Sequence, residues 1–137
     1  MTREDRMNEI HDHVEYPDAL VSHARLKCPP GIPVNALGFS QGVATVSRWS
    51  IKGKTPLQRM VLWAGGIPPE LDAATLLAWQ DKHIDLVLGS DDAYAKAGDL
   101  DAMAQRLITA RVPHKAHLFE GEHRLEPVLL EKLMSRA

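Results

Sequence analysis

The chain has 137 residues, 45% of them hydrophobic and 25% charged, a balance apolar enough to fold around one core but too short for two. Its 16 basic and 18 acidic residues leave a formal charge of -2; with no basic run to follow a phosphate backbone, nucleic acid is not an expected partner. No apolar stretch nears the ~20 residues of a membrane span, and the single cysteine, Cys28, excludes an intrachain disulfide or a multi-cysteine zinc site.

These features predict one domain over residues 1–137, with a helical segment over 1–28 and a core over 29–137. The first residues lack the apolar core of a signal peptide, so the expected location is the cytoplasm. From Glu4 to Leu26, apolar Met7, Ile10, Val14, Leu20, Val21 and Ala24 recur at helical spacing. Pro17 should kink or split that helix, because it brings no N–H and crowds the preceding turn. His11 and His13 are not expected to share a metal, since positions i and i+2 on a helix face different sides.

Cys28-Pro29-Pro30-Gly31 breaks the helix, and Val34–Phe39 then reads as a short strand buried on both faces. Gln41 to about Ser50 reads as a helix. Arg59–Ala64 is a second buried strand, closed by Gly65-Gly66 and Pro68-Pro69, with a short helix near Ala73–Trp79. His83–Leu88 is a third strand, and Ala97–Arg111 a helix with Leu100, Met103, Ala104, Leu107 and Ile108 on one side. Lys115–Phe119 and Leu125–Met134 complete the series as strand and helix. Strict alternation predicts an α/β fold, a three-layer α/β/α sandwich around about four mainly parallel strands.

In such sheets functional groups collect beyond the carboxyl ends of the strands. Gly38-Phe39-Ser40-Gln41-Gly42 fits the G-x-S-x-G nucleophile elbow there, between a strand and a helix. A chance match somewhere in a chain of this length has odds of roughly one in twenty to thirty, and its placement lowers them further. The elbow holds its serine in a strained turn with small flanking residues, a demand that Gly38 and Gly42 meet. The plainer reading is a helix-capping serine that satisfies free N–H groups; it predicts an unreactive Ser40 and a distant His123.

A serine hydroxyl needs a histidine to take its proton and a carboxylate to orient the imidazole. Gly89-Ser90-Asp91-Asp92 sets acids after the third strand, and Glu120-Gly121-Glu122-His123 sets a histidine after the fourth. The order Ser, Asp, His is the one this motif requires. Singly, the acids read as loop or capping residues and His123 as a surface histidine; jointly, the three strand ends favour a triad.

From about residue 30 to the end, the chain resembles the phospholipase/carboxylesterase family of α/β-hydrolases, which includes acyl-protein thioesterases. The resemblance rests on Leu37-Gly38-Phe39-Ser40-Gln41-Gly42, Leu62-Trp63-Ala64-Gly65-Gly66-Ile67-Pro68, Gly89-Ser90-Asp91-Asp92 and Gly121-Glu122-His123. It implies hydrolysis of a carboxylic ester or thioester with Ser40 as nucleophile, His123 as base and Asp92 as orienting acid, Asp91 standing in reserve. It also implies that the Gln41 N–H contributes to the oxyanion hole, as the general elbow geometry does independently.

No metal or organic cofactor is needed. The expected partner is a small-molecule ester or thioester, without a membrane span. The family's strands before the elbow, and the loop bearing a second oxyanion donor, have no counterpart in residues 1–28. That leaves an alternative, a non-catalytic interaction module with the same fold, and an open sheet edge that invites pairing with a second copy.

Overall fold

The computed structural model describes residues 2–135. Its elements are α1 (Arg3–Arg25), β1 (Val34–Phe39), α2 (Gln41–Lys52), β2 (Leu57–Trp63), α3 (Ala73–Leu76) running into a 3-10 turn (Leu77–Trp79), β3 (His83–Gly89), α4 (Asp99–Thr109), β4 (Lys115–Phe119) and α5 (Pro127–Met134). The four strands form one parallel sheet in the order β1-β2-β3-β4. The sequence predicts β1 and β4 with these bounds, whereas β2 begins two residues earlier, at Leu57, and α4 is shorter at both ends.

Strand alternation divides the apolar residues between two cores. Met60, Leu62, Ile84 and Leu86 pack with Val43, Val46 and Trp49 of α2 and Met103 and Leu107 of α4, and Val14 of α1 joins them. On the other face Val61, Trp63, Val87 and Phe119 pack against Leu133, with Leu129 and Leu130, of α5. Helices α1 to α4 therefore share one layer, and among the described residues α5 alone supplies the other. β1 lies at the sheet edge beside β2.

α1 departs from expectation in two ways. It runs unbroken through Pro17, although proline removes one helical hydrogen bond. The compensation lies one residue on. Asp18 accepts bonds from Trp49 Nε1 at 2.7 Å, Lys54 N at 2.8 Å, Thr55 N at 3.1 Å and Thr55 Oγ1 at 2.7 Å, fastening α1 to α2 and the turn behind it. The buried stripe is also narrower than its periodicity predicts. Ile10 and Val14 are buried, but Met7 and Leu20 are 53% and 52% exposed. Among the described residues, no helix is long and apolar enough to cross a membrane.

Candidate active site

The parallel register brings four loops together at the carboxyl ends of the strands. Backbone bonds continue the ladder beyond the strands: Ser40 N donates to Trp63 O, Ala64 N to Val87 O, Ser90 N to Phe119 O and Asp91 N to Gly121 O, each at 2.8 Å. Sheet geometry thus sets the spacing between the serine, acid and histidine loops.

Ser40 stands at the turn from β1 to α2 with φ 58° and ψ -118°, and its side chain makes no capping bond. A non-glycine residue held in such a sparsely populated state stores of order 1–3 kcal/mol. The turn is possible because Gly38 has no side chain; a Cβ there would lie 2.5 Å from Gly42 O and 2.9 Å from Val43 Cα. Gly42 differs from expectation, since a Cβ on it would meet nothing within 4 Å. The close approach that sequence reasoning missed is Gly65, after β2, where a Cβ would lie 2.1 Å from Ser40 O.

The hydroxyl of Ser40 lies 3.1 Å from His123 Nε2, and His123 Nδ1 lies 2.7 Å from Asp92 Oδ2. With Nδ1–H donating to the carboxylate, Nε2 is free to accept the serine proton. Ser40 thus makes no side-chain cap bond to α2 and lies within hydrogen-bond distance of His123. Asp92 is 8% exposed, and its other oxygen accepts from Tyr94 N at 2.8 Å, so both oxygens are directed. Asp91 is exposed, and the imidazole bonds to Asp92.

Aromatic contacts and one indole hold the histidine. Phe39 and Tyr94 flank the imidazole at centroid distances of 5.0 and 4.7 Å. Trp63 Nε1 donates to Arg124 O at 2.9 Å, so a buried residue of β2 anchors the loop next to His123. Nothing local in the sequence marks Trp63 for this, because its partner is 61 positions away.

As the first residue of α2, Gln41 carries a backbone N–H without an intrahelical acceptor, and among the described residues it has no other partner. A cavity of about 330 Å³ opens beside the site, lined by Ala64, Gly65, Leu88, Asp92, Tyr94 and Met103, among others. A hydroxyl, an imidazole, a carboxylate and a free N–H gathered at the carboxyl ends of β1, β3 and β4 can support nucleophilic attack on a carbonyl.

No protein-family model matches the sequence, and no curated protein matches it significantly. Solved structures do. SOBER1 from Arabidopsis thaliana superposes with a TM-score of 0.70 at 18% identity, over 92% of this chain and 61% of that one. Esterase PE8 gives 0.67 at 18%, over 92% and 59%. The Bacillus cereus carboxylesterase gives 0.66 at 16%, over 93% and 59%. The chain thus spans about three-fifths of the length of each. At these identities the likeness is one of fold: over part of their length, the chain shares the α/β architecture of SOBER1 and of these two esterases.

Proposed function

We propose that the chain hydrolyses carboxylic esters or thioesters through an acyl-enzyme on Ser40. The observation that carries this reading is the relay from Ser40 Oγ to His123 Nε2 at 3.1 Å and from His123 Nδ1 to Asp92 at 2.7 Å, with the serine held in an elbow. The fold shared with esterases supports it.

In this mechanism Ser40 Oγ attacks the carbonyl carbon as His123 Nε2 takes its proton. The Gln41 N–H faces the charge that develops on the carbonyl oxygen. Collapse expels the alcohol or thiol, which leaves with the proton from His123. Water then attacks the acyl-serine by the same route in reverse, releasing the acid and restoring the hydroxyl. Asp92 keeps Nδ1 protonated and the ring aligned. The neighbouring cavity, apolar at Leu88 and Met103, receives one arm of the substrate.

A non-catalytic module is the second reading, favoured by the low identity of 16–18% to the esterases it resembles, since a shared fold does not by itself carry a shared activity. Loss of one oxyanion donor typically costs ~10² to 10³ in rate, so a hole formed by the Gln41 N–H alone would still leave a measurable reaction. Fluorophosphonate labelling of the protein and of Ser40→Ala separates the two readings. Labelling that disappears in the variant, with turnover of short aryl esters, supports the hydrolase. A folded protein that resists the probe is the module.

A further inference from the structure

A second cleft, of about 550 Å³, lies at the amino ends of β2, β3 and β4. At ~3.3 Å per strand residue, it is roughly 15–20 Å from the serine site. Its polar lining is Arg59, Lys82, His83, Asp85, His114 and Lys115. We infer that this cleft binds a phosphate-bearing anion.

Arg59 is the key to the site. It is 7% exposed, and Nη1 donates to Asp85 Oδ2 at 3.0 Å. A guanidinium has five N–H donors, yet among the described residues the Arg59 side chain makes no other hydrogen bond. No fully buried side-chain nitrogen or oxygen among the described residues lacks a partner, so its remaining nitrogens keep some solvent contact, and Arg59 is one of the residues that line the cleft. A mostly buried arginine that lines a cavity and keeps unbonded N–H groups offers the planar donors that oxyanions accept.

Charge selects the ligand. Arg59, Lys82 and Lys115 are opposed by one carboxylate, Asp85, among the described residues lining the cleft. Asp85 is committed twice, since its Oδ1 also lies 2.8 Å from His117 Nε2. Two positive charges remain for a ligand to neutralise. A phosphate monoester, at about -1.5 to -2 near pH 7, matches that balance, and a single carboxylate does not. Lys82 Nζ is steadied by Leu57 O at 3.0 Å and keeps two of its three donors. A phosphate group occupies on the order of 100 Å³, taking about 30 Å³ per oxygen-sized centre, so there is room for the organic group it carries.

The test is calorimetric titration with inorganic phosphate and with glycerol 2-phosphate, against chloride at matched ionic strength, on the intact chain and on Ser40→Ala. The proposal expects one saturable site, equal in both proteins, and movement of the His83 and His114 imidazole proton resonances on binding. Arg59→Lys should weaken binding but also disturbs a buried pair, so the two lysines, half-buried Lys82 and exposed Lys115, decide. Lys82→Gln with Lys115→Gln should weaken binding about tenfold or more with the fold intact. Heats equal to those of chloride, or affinity unchanged in the double variant, overturn the proposal. Vesicles containing phosphatidic acid separate the sources: capture that phosphate competes away assigns a lipid headgroup, and binding of glycerol 2-phosphate without capture assigns a soluble monoester.

Discussion

Asp91 and Asp92 are adjacent and chemically identical, yet one is exposed and the other is 8% exposed with both oxygens bonded. Asp92→Asn would present an amide to Nδ1 and favour the wrong imidazole tautomer, so aryl-ester turnover should fall ~10⁴-fold. Asp91→Asn should leave turnover within about threefold, since exposed substitutions seldom perturb their surroundings. Equal losses in the two variants would refute the assignment of the acid. Trp63→Phe keeps an aromatic ring but not the bond to Arg124 O, freeing the histidine loop. Because small misplacements can cost ~10² in rate, kcat should drop by about ten- to a hundredfold at a temperature where the variant is still folded. The melting temperature should also fall, since Trp63 is fully buried and the smaller ring leaves a cavity. The chain order and strand-end positions of Ser40, Asp92 and His123 are legible in the sequence, because alternation fixes where strands stop. The roles of Trp63 and Gly65 are not legible, because they arise from contacts across the sheet.

At the scale of elements, the clearest lesson is α1. Its sequence holds a helical repeat and a proline, and local rules predict a break. Those rules cannot see that Asp18 will receive four hydrogen bonds from residues 31 to 37 positions away. Burial, the largest single influence on that carboxyl, pushes its pKa up, but the bonds from Thr55, Trp49 and Lys54 together hold it below its ordinary value. Since the folded value lies below the unfolded one, the stabilisation is complete above the ordinary carboxylate range. It fades as pH falls through the lowered value. Asp18→Ala should destabilise the protein by about 2 kcal/mol at neutral pH, read by urea denaturation. The gap from the parent should close at acid pH; a gap independent of pH would show that the bonds are not what holds α1. The strands were easier to place, since β1 to β4 are short apolar runs between strong breakers.

The whole molecule is asymmetric about its sheet. One face carries α1 to α4 and the larger core; among the described residues the other is covered by α5 alone, through a small cluster that includes Val61, Trp63, Val87, Phe119 and Leu133. α5 also follows directly on the loop that bears His123, so the same helix closes a core and terminates the site. The alternation of strands and helices predicts three layers but not this division, because periodicity shows that a helix has an apolar side and not which face of the sheet receives it. Leu133 is the buried residue of α5, and Leu133→Ala should cost about 2–5 kcal/mol. If α5 and the histidine loop form one unit, fluorophosphonate labelling of Ser40 should be lost at a lower temperature than the far-ultraviolet helix signal, which α1 to α4 dominate. Simultaneous loss of labelling and helix would instead mean that the two faces unfold together, and that the thin layer is as firmly coupled to the sheet as the thick one.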